Sequence, residues 1–212
     1  MTMRADARRN LEQLLAAARD LVAEKGAGVA LDEVAQRAGV GIATLYRRFP
    51  DRTALLKGVV LDALEQTRLA ADRAAVENDD PFEALAAYLR SVLELRVSAV
   101  IPQVLDVLDL NEPDLAAARE ASAAATEALV AAAHDSGDLP ADVTFADVGM
   151  MLVRIARPLP GPMPDELKHE LARRHLELFV RGLRGGNGKL DGPELSRSDL
   201  TEMVRQGNTL SE

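Results

Sequence analysis

Residues 31–49, LDEVAQRAGVGIATLYRRF, constrain the fold more than any other stretch of the chain. The first half carries apolar residues at helical spacing and is followed by Gly39, where a backbone without a Cβ can turn sharply. The second half places Leu45 and Phe49 four residues apart, on one side of another short helix. The stretch therefore predicts two short helices joined by a glycine turn.

Helical periodicity continues over the rest of the chain. Alanine and leucine recur at helical spacing, aromatic residues make up 3% of the sequence, and alternating runs of β-branched residues are nearly absent. These features predict an all-α fold. The longer helices are expected over 7–25, 52–78, 81–98, 113–135, 145–157 and 165–183. Pro102 interrupts a further apolar segment and predicts a short, kinked helix there.

The charge distribution and the helix-breaking residues divide the chain into three parts. Residues 1–58 carry ten Lys/Arg against seven Asp/Glu, so the remainder of the chain, whose total is −9, has a net charge of −12. We expect a helix-turn-helix domain at 1–58, a helical regulatory and dimerisation domain at 59–188, and a weakly structured tail at 189–212. A short helix near 193–205 is expected within that tail.

Several classes of protein are disfavoured. The chain has no cysteine, and its His169 and His175 are six residues apart, on different faces of a helix. No nucleophile–base spacing and no phosphate-binding loop occurs, so we expect neither an enzyme nor a bound metal or cofactor. No apolar run is long enough to span a bilayer, and the N-terminus lacks the apolar segment of a signal peptide, which together predict a cytoplasmic protein without a membrane partner.

The outer side of the second short helix suits a DNA groove. Its small first residues would allow close approach to base edges in the major groove. Thr44 and Tyr46 offer hydroxyl groups, and Arg47 or Arg48 could reach a guanine or a phosphate. The alternative interpretation is an ordinary helical hairpin in a hydrophobic core. It does not account for the combination of the glycine turn with these outward residues.

The motifs LLAAARDLVAEKG and DEVAQRAGVGIATLYRRFPDRTALL, within residues 14–57, resemble the DNA-binding domain of the TetR family of transcriptional repressors. The segment TLYRRFPDRTALL is the most specific part of this resemblance. The opening RADARRN and the loop PLPGP further resemble an SbtR-like subgroup.

The resemblance implies a homodimer that binds a palindromic double-stranded operator and responds to a small molecule held in the C-terminal domain. It implies dimerisation through about 144–157 and 165–183. Carried over by position, the DNA-facing residues are Ile42, Ala43, Thr44, Tyr46, Arg47, Arg48 and Arg52.

The chain departs from the family's pattern at the first short helix. Ala30 stands where the family usually has a capping Thr or Ser, Leu31 and Asp32 stand where a basic or polar residue is frequent, and Gly41 replaces a common polar residue. These departures leave an alternative open, an all-α small-molecule-binding or interaction protein with a degenerate DNA-reading head.

Five residues are candidates for a ligand site. Tyr88, Arg96, His134 and Arg154 are polar residues on otherwise apolar helical stripes, and Met150 has a side chain suited to an adaptable pocket. Arg154 would need a partner if buried, because an unpaired buried charge is unfavourable. A carboxylate of the dimer mate is the favoured partner, and an acidic ligand is the alternative.

Overall fold

Nine helices account for the secondary structure, which a computed structural model describes for residues 2–157, 159, 161–185, 190, 192, 195–199 and 202. The helices are α1 (Thr2–Lys25), α2 (Leu31–Ala38), α3 (Ile42–Arg48), α4 (Arg52–Glu77), α5 (Pro81–Glu94), α6 (Val97–Val104), α7 (Pro113–Asp135), α8 (Phe145–Ala156) and α9 (Asp165–Gly185). Within these ranges no strand occurs, and the all-α prediction is confirmed.

One hydrophobic core holds α1, α2 and α3 against the first turns of α4. Leu14 from α1, Leu45 from α3, and Leu55 and Leu56 from α4 are fully buried in it. Asp51 caps α4 by accepting a 2.8 Å hydrogen bond from the Ala54 amide. The apolar stripes predicted for α1 to α3 therefore face one another, and this unit fixes the position of the short helices.

A second core fills the larger part of the molecule. It is formed by the later part of α4 together with α5, α7, α8 and α9, and its largest members include Phe82, Leu89 and Leu176. Thr144 and Asp147 begin α8 with a reciprocal capping box, in which each side chain bonds the other residue's backbone amide.

Three helices belong to both cores. α7 contributes Leu115 to the first core and Leu129 to the second, and α4 and α6 also reach both. α4 contributes Val59 to the first core and Ala71 to the second, so it runs through both bodies. α6 contributes Val100 and Val104 to the first core and Val97 to the second. A displacement of α4 or α6 in the larger body would therefore shift α1 to α3, which pack in the same core.

The single helix predicted over 81–98 is wrong, because the chain breaks at Arg96 rather than near Pro102. Arg96 is left-handed, with φ of 55°, and α6 begins directly after it with Pro102 inside the helix. A non-glycine residue in this region costs about 1–2 kcal/mol. The break turns α6 so that Val100 faces the first core, and that burial together with the ion pair of Arg96 to Glu24 offsets the cost.

Most of the short helix expected near 193–205 lies outside the residues that the structure describes. Residues 197–199 are helical, and Ser196 begins them with a hydrogen bond from its amide to Asp199 at 2.7 Å.

Candidate nucleic-acid interface and ligand cavity

The turn between α2 and α3 depends on Gly39. Its φ is 65°, and its amide and that of Val40 bond to carbonyl oxygens in the last turn of α2 at 3.1 and 3.0 Å. Neither Ala30 nor Gly41 supplies a side-chain cap to the helix that follows it. The geometry of a helix-turn-helix is thus held by the glycine and the buried apolar faces, without capping side chains.

The residues proposed to face DNA share one exposed side of this unit. Ile42 and Tyr46 are 42% and 52% exposed although both have large apolar surfaces. Also exposed are Ala43, Arg47, Arg48 and Arg52, whereas Thr44 is half-buried. A groove of about 510 Å³ runs between this side of α3 and the start of α1, with Asp6 and Asn10 on the α1 wall.

Ion pairing separates the cations of this domain into two groups. One group is held by carboxylates of the same chain: Arg8 by Glu12, Arg19 by Asp62, Lys25 by Glu33, Arg37 by Glu24, and Lys57 by Glu112 and Asp114. By contrast, Arg9, Arg47, Arg48 and Arg52 form no ion pair with any residue of the described ranges. Three of these four free arginines lie on the exposed side of α3 and the start of α4, and the fourth lies on α1.

A cavity of about 420 Å³ lies in the larger body, between α4, α5, α6, α7 and α8. Its wall is mainly apolar and includes Leu64, Val92, Ile101, Phe145 and Leu152. The volume falls in the range of about 300–1,000 Å³ that is usual for small-molecule sites.

A line of hydroxyl groups crosses one wall of this cavity. Thr126 donates a hydrogen bond to the Ser122 carbonyl at 3.0 Å, so the Tyr88 hydroxyl, 2.7 Å away, donates to Thr126. Burial raises the pKa of Tyr88 to about 12. Thr67 and Ser98 add further hydroxyl groups to the lining. The wall can thus exchange hydrogen bonds with a ligand. Its charged side chains are bonded to other protein groups, since Arg197 pairs with Glu120 and Arg119 donates to the Leu110 carbonyl.

The five ligand candidates do not come together. Tyr88 lines the cavity, whereas Arg96 binds Glu24 at 3.2 Å between the two bodies. His134 lies 3.0 Å from the Val143 carbonyl oxygen, beside the turn before α8. Met150 and Arg154 lie on the exposed side of α8.

The cavity residues Ser122 and Thr126 were not among the candidates. Their spacing of four within the alanine-rich α7 was the available signal, because it places two hydroxyls on one helical face.

The exposed side of α8 continues onto α9. Exposed apolar side chains there include Met150, Met151, Val153, Leu167 and Leu178, and Leu178 is 57% exposed. Large exposed apolar patches usually mark interaction surfaces. Arg154 stands among them and forms no ion pair with the residues that the structure describes.

A larger cleft of about 720 Å³ separates α1 from the start of α9 and is lined mainly by charged side chains. Most of its cations are paired with its own carboxylates, as in the Arg96–Glu24 and Lys168–Asp165 pairs, and Lys25 is paired with Glu33. These charged groups therefore already have partners. Across the described ranges no cluster of histidine and carboxylate side chains could hold a metal ion. The helices of the same ranges include none that is long and apolar enough to cross a membrane.

Two sequence families match the chain. The family described as bacterial regulatory proteins, tetR family, matches residues 14–59. The family described as the SbtR-like transcriptional regulator C-terminal domain matches residues 80–185. The chain belongs to the TetR family. It is accordingly a ligand-responsive DNA-binding transcription regulator, and family and fold both point to regulation rather than catalysis. The resemblance to the SbtR-like subgroup is confirmed.

Solved structures of TetR regulators share the fold over most of their length. A TetR transcription regulatory protein from Mycobacterium vanbaalenii is 31% identical, with a TM-score of 0.62, over 86% of this chain and 99% of that one. One from Streptomyces coelicolor is 30% identical, with a TM-score of 0.62, over 82% and 98%. The regulator LfrR from Mycobacterium smegmatis, solved in complex with proflavine, is 21% identical, with a TM-score of 0.62, over 86% and 99%. Among curated protein sequences no relative is similar enough to match.

Proposed function

We propose that this TetR regulator is a cytoplasmic homodimeric repressor that binds a near-palindromic operator through α3 and is released from it by an uncharged small molecule. The domain division is 1–58 for DNA binding, 59–188 for regulation and dimerisation, and 189–212 for the tail. Two hydrophobic cores, which divide along α4 near Ala63 and Leu64, support a boundary within this helix. The observation that carries the DNA-binding proposal is the group of free arginines, Arg47, Arg48 and Arg52.

The free arginines would supply the attraction to DNA. A carboxylate partner would have to be given up before Arg37 or Lys25 could bind a phosphate, whereas Arg47 and Arg52 need give up none. Base contacts would come from the exposed residues at the start of α3, Ile42 and Ala43, and from the hydroxyls of Thr44 and Tyr46. Arg48, the remaining free arginine of α3, would contact a phosphate.

The exposed sides of α8 and α9 are proposed to pair with the same helices of a second copy, over about 144–157 and 165–183. The supporting observation is the row of exposed apolar side chains, which pairing would remove from water. Arg154 has no ion pair among the described residues of its own chain, and an unpaired charge buried in the interface would be unfavourable, so we expect it to meet a carboxylate of the second copy. Two recognition helices about 34–36 Å apart would then enter successive major grooves.

The effector is proposed to bind in the cavity lined by Tyr88. A mainly apolar wall favours a mainly apolar molecule. The charged lining residues already have protein partners, so a charged ligand would lose hydration and would have to displace one of them. The hydroxyls of Tyr88, Ser98 and Thr126 would bind one hydroxyl, carbonyl or amide group of that molecule. A regulator of the same fold, LfrR, was solved with a small molecule, proflavine.

The response is proposed to pass through α6. Ser98 and Ile101 line the cavity, while Val100 and Val104, on the opposite side of the same short helix, are fully buried in the DNA-binding core. An effector that moves α6 would therefore displace α1, because Val100 packs in the same core as that helix. The two DNA-binding domains of the dimer would then no longer match the spacing of successive major grooves. DNA affinity would fall because the effector shifts the population towards this conformation.

Selection of DNA from a random pool by the full chain tests this function. The expected result is an enriched palindromic sequence bound in a gel shift that weakens with salt, as phosphate contacts require. Tyr46→Ala and Arg47→Ala should abolish enrichment while leaving the helical content unchanged. If these two variants select the same DNA with unchanged affinity, the reading head is degenerate and the protein acts through another partner.

A further inference from the structure

The C-terminal segment contacts the body beyond the last residue matched by the SbtR-like family, residue 185. The guanidinium of Arg197 forms ion pairs with Glu120 and Glu127 of α7, the second through Nη1 at 2.7 Å. Seven residues separate these two glutamates, a rise of about 10.5 Å along the helix. Arg197 therefore bridges two turns of α7 by giving a different nitrogen to each carboxylate.

This contact lies at the wall of the cavity. Arg197 and Glu120 both belong to its lining, together with Ser122 and Thr126 of the same helix. The hydrogen bond from Arg197 lowers the pKa of Glu120, so the pair is fully ionised at neutral pH. The side chain of Arg197 is only 24% exposed, which is low for an arginine on a terminal segment.

Two further sets of hydrogen bonds hold described residues of this segment. The amide of Leu190 donates a 2.8 Å hydrogen bond to Asp142, in the turn before α8. Ser196 and Asp199 bond each other's backbone amides in a capping box, which holds the residues beside Arg197 in a helical turn. Leu190 is thus held at Asp142, and Arg197 at Glu120 and Glu127 of α7.

We propose that Arg197 forms the outer wall of the effector cavity and that its contacts with Glu120 and Glu127 control passage into it. The proposal rests on the cavity being the effector site. Exposed ion pairs are individually weak, so the segment would open often enough for a ligand to exchange while still excluding water from the apolar wall. An effector that fills the cavity would pack against the closed segment and slow its own release.

The absence of cysteine from the chain allows a direct test of access. Ser122→Cys places one thiol in the cavity wall, and its rate of reaction with Ellman's reagent is measured on the full chain without DNA or effector. Adding Arg197→Ala should raise this rate about tenfold, as expected from the loss of two such ion pairs. Ala123→Cys, at the next lining residue, serves as a second reporter if the first variant folds poorly.

The matched control is Arg68→Ala, because Arg68 also bridges two carboxylates, Glu65 and Asp72, but lies outside the cavity lining. Adding Arg68→Ala to the Ser122→Cys reporter should leave the labelling rate unchanged. The urea midpoint of unfolding should also stay the same. Reversing the charges of both contacts, with Arg197→Glu combined with Glu120→Lys and Glu127→Lys, should restore slow labelling. Equal rates with and without Arg197→Ala would overturn the proposal. Since the readout needs no DNA, failure of the proposed repressor function would be recognised separately.

Discussion

Replacing Arg52 by alanine should lower the salt dependence of operator binding, whereas replacing Arg37 by alanine should leave it unchanged. Both substitutions remove one positive charge from an exposed side chain of the DNA-binding domain. They differ in pairing, because Arg37 is bound to Glu24 at 3.2 Å and Arg52 has no carboxylate partner among the described residues. The comparison therefore tests whether free arginines, rather than net charge, set the attraction to phosphates.

The expected magnitude follows from the number of free arginines. Arg47, Arg48 and Arg52 in two protomers give six contacts, and at about 0.9 per phosphate the slope of log K against log salt should be about −5.4. Arg52→Ala removes two contacts, which reduces the slope to about −3.6. Between about 50 and 200 mM salt, the affinity would then fall roughly 150-fold instead of roughly 2,000-fold.

Fluorescence anisotropy of a labelled, selected operator gives these slopes directly. If the Arg52→Ala dimer shows the same slope of log K against log salt as the unsubstituted protein, Arg52 does not contact a phosphate. Equal losses of slope from Arg52→Ala and Arg37→Ala would refute the reasoning itself, because intramolecular pairing would then make no difference.

Three further predictions concern stability and assembly. Burial raises the folded-state pKa of Tyr88 from 10.0 to about 12, so the protonated hydroxyl stabilises the fold fully below pH 10 and this contribution is lost as the pH rises through 12. Urea unfolding should show a loss of roughly 2–3 kcal/mol in the unsubstituted protein and not in Tyr88→Phe. Gly58→Ala should cost about 1–3 kcal/mol by urea unfolding, since its Cβ would lie 2.7 Å from the Phe49 ring, and should cost less when combined with Phe49→Leu. Leu178→Glu should produce a monomer in sedimentation, whereas Val76→Glu, at a residue that is 85% exposed on α4, should remain a dimer. If each variant sediments as a dimer, the proposed interface is excluded.

The helix-turn-helix could be predicted because all of its determinants are local. Gly39 sets the turn, and the spacing of Leu45 and Phe49 sets the buried side, so the outward residues follow directly. The ligand cavity could not be predicted in the same way. Tyr88 was found because a polar residue stood on an apolar stripe, but nothing local distinguishes it from Arg96, which the fold directs to α1.

Local sequence patterns were sufficient to predict most of the helices, the glycine turn and the family, since each depends on neighbours within a few residues. Tertiary structure alone decided which cations are free. Arg37 and Arg47 are both arginines on short amphipathic helices, and only the approach of Glu24 from α1 neutralises the first. The break at Arg96 was likewise decided by packing, because burying Val100 in the DNA-binding core outweighs the local cost of a left-handed arginine.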